Sequence, residues 1–338
     1  MAARRQLKGE GHKDGLDEEG AIFHLPLMFS IDGLTDLPEN ELNHLGGYLD
    51  SRPVRIGNAA TGHVQLDIYG ELMDSIYLFN KHGKPVTYQQ WLMVRELVDF
   101  VCTLVNEPDM SIWEVRGPKQ NFTYSKIMLW VAIDRGIRLA DKRNFPAPNR
   151  MHWLATRDAL YEEVMTRSFN HKLNTFTQSY ESNEAGALDS AVLIAPLVFF
   201  ISPNDPQFLG TLDAVLRTPE HGGLTSAGFV FRYDTTKMDD GIGGKEGTFT
   251  ICTLWLVEAL VRAGRYDTKD KDGKRKGYLE RATSMFEQVT NFRNHGGMLS
   301  EEIATSGEQL GNTPQAFSHL AYVSAAINLE RVGREIRE

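Results

Sequence analysis

The chain has 338 residues, enough for one large domain or two ordinary ones and for a core that needs no disulfide or metal staple. Its formal net charge of −9 argues against nucleic acid as the main partner, because phosphate binding calls for a basic footprint. Met1 to Asp17 is charged and lacks an apolar centre, so it is no signal peptide. The most hydrophobic stretch, Ala187 to Ile201, is interrupted by Asp189 and Pro196 and is too short to span a bilayer.

In chain order, residues 1–22 read as a poorly ordered N-terminal segment and residues 23–336 as one helical domain. Apolar residues three and four apart predict helices over His63 to Phe79, Gln89 to Val105, Ser125 to Ala140, Trp153 to Phe169, Phe249 to Ala263 and Tyr278 to Phe292. A final helix is expected over Gln315 to Val332, entered after Pro314. Eight to ten helices are expected in all, without a sequence repeat. No stretch alternates long enough to predict a sheet. The intervening loops are rich in Gly, Asp, Asn and Pro, notably Asp50–Gly62, Asn106–Gly117, Arg232–Gly247 and His295–Pro314. Helices of similar length joined by long polar loops predict an all-α toroid or bundle whose function lies in the loops.

Cys102 and Cys252 each lie in an apolar run and read as buried free thiols, which suits a reducing compartment and a cytoplasmic location. Neither has an evident base nearby, as a nucleophile would need. The sequon at Asn121 has no secretory context. No Gly-x-Ser-x-Gly elbow, His-Glu-x-x-His or paired Cys-x-x-Cys is present, so triad and metal chemistry find no support. The run from Tyr266 to Gly277 superficially resembles a calcium loop. It has Thr268 where Asp is required and Leu279 where Glu is required, and reads as a solvated loop.

Three loops gather reactive residue types. In Ser111-Ile-Trp-Glu-Val-Arg-Gly117, Glu114 lies beside Trp113 and Arg116. A carboxyl desolvated by an aromatic ring suits a general acid, but on the residues alone a helix-terminal Glu paired with Arg116 is the stronger explanation. In His295-Gly-Gly-Met-Leu-Ser-Glu-Glu302, two carboxylates follow a turn, or Ser300 caps a short helix. The third loop runs from Phe231-Arg-Tyr-Asp234 through Asp239 to Phe249. Lys245 is followed by Glu246 and no strand precedes it, so it is no phosphate loop. Its glycines suit close approach of backbone to a ligand.

Taken in order, these loops and others resemble family 15 of the glycoside hydrolases, which includes glucoamylases, bacterial and archaeal trehalases and glucodextranases. The matching segments are Leu45-Gly-Gly-Tyr48, Ser51 to Asn58, Gln65 to Glu71, Ile112 to Gly117, Tyr124-Ser-Lys126, Ala132-Ile-Asp-Arg135 and Arg232-Tyr-Asp234. They continue through Glu246-Gly-Thr-Phe249, Cys252 to Leu256, Gly297 to Glu302 and Leu310 to His319. The resemblance implies an all-α (α/α)6 toroid that hydrolyses α-glucosides with inversion. It places the general acid on Glu114 and the general base on Glu301. In such a site the two carboxyls stand roughly 6.5–9.5 Å apart, leaving room for the attacking water.

The resemblance also implies sugar contacts from Trp113, Arg116, Arg232, Phe249 and Arg55, although Arg55 could equally hold its own loop. It implies no metal or organic cofactor. The loop Ser51 to Asn58 resembles the trehalase and archaeal branch, so trehalose is favoured over malto-oligosaccharides. Relatives of that branch carry a Trp-x-Arg-Asp motif in helices that precede the segments matched here. Arg157-Asp158, downstream of Glu114, is no substitute for it. The toroid is therefore expected to be incomplete on its N-terminal side, with apolar faces that promote self-association. The alternative function is that of a truncated, catalytically impaired carbohydrate-binding or interaction protein.

Overall fold

The computed structural model describes residues 24–47, 50–238, 246–267 and 277–337. The expected N-terminal segment, Tyr48, the glycines between Asp239 and Lys245, and the calcium-loop look-alike from Thr268 onward lie outside the described residues. Among those described, the chain divides into two compact units. Unit 1 runs to Lys119 and resumes over Met128–Arg157; unit 2 takes Gln120–Ile127 and the residues from Asp158 onward.

Unit 1 opens with a short antiparallel pair, β1 (Asn40–Glu41) and β2 (Arg55–Ile56), in which Glu41 faces Arg55. Helices α1 (Asp67–His82) and α2 (Tyr88–Thr103) follow. Thr87 and Gln90 start α2 with a reciprocal capping box that satisfies two otherwise orphaned N–H groups. Helices α3 (Thr123–Arg143) and α4 (Arg150–Arg167) contribute to both units. In unit 1 the core is aromatic. Trp91 is fully buried, stacks on Phe145 at 5.1 Å and meets Trp153 edge-on at 6.3 Å. Trp91 Nε1 donates to the Pro146 carbonyl at 3.1 Å and Trp153 Nε1 to Asp99 at 2.7 Å, so neither indole is buried unsatisfied.

Gly70 of α1 lies against the α3 backbone, where a Cβ would come within 2.2 Å of the Met128 carbonyl oxygen. Nearby, Asp134 accepts from Arg135 at 2.7 Å and Arg138 at 2.6 Å, and pairs with Arg157 at 3.6 Å. Arg135 also reaches Asp74 of α1 at 2.7 Å. The segment Ala132–Arg135 is thus a buried ionic node that ties α1, α3 and α4 together. Arg157 belongs to that node.

Unit 2 contains the hairpin β3 (Phe169–Asn170) with β4 (Thr175–Phe176), then α5 (Pro206–Val215), α6 (Thr250–Gly264), α7 (Tyr278–Asn291) and α8 (Ala316–Arg337). Helix α5 was not expected from the sequence. It is ten residues long, started by the Asp205 side chain with Pro206 in its first turn. Helix α6 is buried on every side from Thr250 to Ala263, apart from Ile251 and Arg262. It packs against α7, α8 and the short 3-10 helix Ser190–Ile194. Asn328 of α8 donates to Glu258 of α6 at 2.8 Å, which fixes the rotation of α8. Phe317, Leu320, Val323 and Ile327 of α8 then stand outward, each more than half exposed.

A five-stranded antiparallel sheet also forms, against expectation. Its strands are β5 (Thr225–Ser226), β6 (Phe229–Val230), β7 (Thr248–Phe249), β8 (Glu302–Ile303) and β9 (Gln309–Leu310), adjacent in that order. Two-residue strands are too short to print an alternating pattern in a sequence. Cys102 and Cys252 are both free and buried, as expected; burial pushes the Cys102 thiol up to about 11. No helix among the described residues is long and apolar enough to cross a membrane.

Candidate active site

The candidate site residues fall into two groups, one in each unit, and each is built by its own local structure.

In unit 1, Glu114 lies in a tight turn, with its N–H directed to the Ser111 carbonyl at 3.3 Å and the Val115 N–H donating to the Met110 carbonyl at 3.0 Å. It is not helix-terminal. Arg116 pairs with Glu39 at 3.8 Å, so the expected helix-terminal pairing of Glu114 with Arg116 is not the one that forms. Ser111 and Glu114 have φ of 63° and 56°, the left-handed region that non-glycine residues seldom adopt. Such a backbone persists only where its surroundings over-determine it. Here the loop is sewn to the residues before α1: Asp109 accepts from the Leu66 N–H at 2.9 Å and Met110 N–H donates to the Val64 carbonyl at 2.8 Å. Trp113 and Val115 are buried on either side, which leaves Glu114 half-buried between two anchors.

His63 stands close enough to Glu114 and Arg116 for both charges to act on it. Burial lowers its pKa first; Glu114 then opposes the effect and Arg116 adds to it. Its Nδ1 is buried without a hydrogen-bond partner. Arg55 pairs with Glu39 at 3.5 Å and Glu41 at 3.2 Å. Glu39 therefore joins Arg55 and Arg116, the two arginines expected to contact sugar.

In unit 2, Glu301 is fixed through backbone and side chain alike. Its N–H donates to the Asn312 carbonyl and its carbonyl accepts from Thr250 N–H, both at 2.9 Å. Its Oε2 accepts from the backbone and side-chain amides of Asn312, each at 3.0 Å. Ser300 caps no helix: its hydroxyl donates to the Glu302 carbonyl at 2.8 Å, and Glu302–Ile303 is strand β8. The capping-box alternative is thereby corrected, because pairing of Glu302 with Phe249 and Leu310 claims this backbone for the sheet.

Glu302 is mostly buried and its carboxyl is held above the usual range. Burial is the largest cause, opposed by the Gly247 N–H at 2.8 Å; the charges of Glu246 and Glu301 raise it further and Arg232 lowers it. Arg232 is buried, pairs side-on with both oxygens of Glu246, and lies 4.6 Å from the Tyr233 ring centre and 5.3 Å from that of Phe249. Arg232 thus lies near Phe249, which pairs with Glu302 of β8 next to Glu301. The sequence did not single out Asp109, His63, Glu39, Glu246 or Asn312 as site residues. The only local signal was that Glu246 and Asn312 fall inside matching segments.

Glu114 in unit 1 and Glu301 in unit 2 each lie on a hydrogen-bonded loop. Residues 23–327 match the family model described as glycosyl hydrolases family 15. A trehalase from Mycolicibacterium smegmatis is 38% identical over 92% of this chain and 43% of its own length. A trehalase from Thermoplasma acidophilum is 36% identical over 90% of this chain and 48% of its own. The chain therefore spans about half the length of the curated relatives it matches.

Among solved structures, the glucoamylase from Saccharomycopsis fibuligera superposes with a TM-score of 0.63 at 12% identity, over 80% of this chain and 70% of that one. A wild-type glycosidase superposes with a TM-score of 0.62 at 17% identity, over 83% and 72%, and a variant of it has been solved in complex with glucose. The fold is the all-α (α/α)6 toroid of these enzymes. With the ordered loops, the family match over most of the chain and the trehalase identities agreeing, the chain belongs to family 15 of the glycosyl hydrolases.

Proposed function

We propose that this chain hydrolyses α-glucosides, trehalose foremost, by a single displacement at the anomeric carbon. Glu114 is the general acid and protonates the glycosidic oxygen as the bond to carbon breaks. Glu301 is the general base and takes a proton from the water that attacks the opposite face. Arg232, Phe249, Trp113, Arg116 and Arg55 hold the sugar. The observation that carries the reading is the identity of 36–38% to trehalases over at least 90% of this chain. The local geometry supports the assignment of roles. Glu114 is held half-buried by an anchored turn with a left-handed backbone, and Glu301 is fixed by two amide N–H groups of Asn312.

Products of trehalose hydrolysis by the purified chain, followed by proton NMR before mutarotation, test the proposal. Inversion yields one β-glucose from the attacked ring and one α-glucose from the leaving ring. Formation of α-glucose alone would replace this mechanism with double displacement. Release of no glucose from trehalose or malto-oligosaccharides would favour the carbohydrate-binding alternative.

A further inference from the structure

Arg232 and Glu302 are held by consecutive residues. Glu246 accepts from Arg232 Nε at 2.8 Å with one oxygen and from Nη2 with the other, and Gly247 N–H donates to Glu302 Oε2 at 2.8 Å. A Cβ at position 247 would stand 3.1 Å from that oxygen and 2.9 Å from the Ile303 carbonyl, so the contact is backbone-close. Tyr233 and Phe249 lie near the guanidinium and restrict its tilt. Rings do not set its rotation within its own plane. A carboxylate gripping two of its five donors does.

We infer that Glu246 is a positioning residue for glucoside binding: it locks the rotation of Arg232. The inference rests on the reading of Arg232 and Glu301 given under the proposed function. A guanidinium ordered before the ligand arrives spares the ligand the entropic cost of ordering it. That benefit applies to ground state and transition state alike, so it appears in KM and Kd rather than in kcat.

The test measures the trehalose Kd by calorimetry, with kcat, KM and Tm, for wild type, Glu246→Gln, Glu246→Asp, Arg232→Ala and the Glu246→Gln/Arg232→Ala double variant. Glu246→Gln, which removes the charge but keeps one acceptor for Arg232, should raise Kd and KM about 10- to 100-fold, with kcat within about threefold. Glu246→Asp, which keeps the charge one methylene short, should fall between. It carries the test if Glu246→Gln does not fold. In the Arg232→Ala background, Glu246→Gln should leave Kd within about twofold, because Glu246 acts through Arg232. A lowered Tm with unchanged Kd would make the pair merely structural and overturn the inference. So would a tenfold loss of binding that persists without Arg232. Wild type that binds trehalose without turning it over keeps the Kd test intact. Wild type that neither binds nor hydrolyses a glucoside removes the functional reading, and this inference with it.

Discussion

Gly311 makes room for Glu301. A Cβ at position 311 would lie 2.7 Å from Glu301 Oε2 and 2.9 Å from its Cβ, and the glycine has a φ of 69°. The candidate base therefore depends on a missing side chain as much as on its own. Gly311→Ala would be strained by its backbone and would displace the carboxylate from Asn312. The folding cost should be about 1–2 kcal/mol, the penalty for an L-residue in this region. The loss of kcat should exceed what the drop in Tm explains. Unaltered kcat in the folded variant would remove the link between Gly311 and Glu301.

The roles of the two glutamates separate with a substrate whose leaving group needs no proton. Glu114→Gln and Glu301→Gln should each lower kcat on trehalose by about 10²–10⁴-fold. On α-glucosyl fluoride, Glu114→Gln should recover much of that loss and Glu301→Gln none. Equal behaviour of the two variants on the fluoride would contradict the acid and base assignment.

Asp67, at the start of α1, is buried and its Oδ1 has no hydrogen-bond partner. Burial first, then the charges of Glu71 and Asp109, push its carboxyl well above the usual range. The folded pKa is thus the higher one. Its contribution to stability is complete below the unfolded value of about 3.9 and is lost as pH rises through the folded pKa. Asp67→Asn removes the titration and keeps a donor for Glu71. Wild type should therefore lose Tm more steeply than the variant as pH rises above about 4. Parallel curves would show that Asp67 does not titrate in this way.

Gly70 offers a test of packing whose sign opposes intrinsic propensity. Gly to Ala inside a helix ordinarily stabilises by roughly 0.8–1.0 kcal/mol. At position 70 the added methyl would meet the Met128 carbonyl oxygen at 2.2 Å, and neither backbone can swing aside as a side chain would. Gly70→Ala should cost about 1–3 kcal/mol by overpacking, read from urea denaturation. A stabilised variant would mean that α1 and α3 approach less closely than described.

Helices α1, α2, α4, α7 and α8 were legible because their buried faces repeat every three to four residues, whereas α3 and α6 are buried almost all round and were legible as long apolar runs. Their ends were less so, for identifiable reasons. The first predicted helix began at His63, but Val64 and Leu66 spend their backbone groups on the Glu114 loop, and α1 starts at Asp67. Helix α5 has only ten residues, and the sheet is made of residue pairs, so neither leaves a period to read. In the site, Glu114 and Glu301 each had a competing local explanation, and only the order of several loops weighted the catalytic one. Glu246 was visible chiefly as the residue that spoils a phosphate loop. Its grip on Arg232, fourteen residues away in sequence, is not encoded by that spacing.

The carbonyl of Glu301 receives the N–H of Thr250, the first residue of α6, the most buried helix of unit 2. The residue that would activate water is thereby fastened to a segment whose amides should exchange with solvent only when the whole unit opens. Local fraying then gives heat no way to disable the base while the rest of the unit survives. Loss of turnover on warming should run together with loss of the slowest-exchanging protons, as one event.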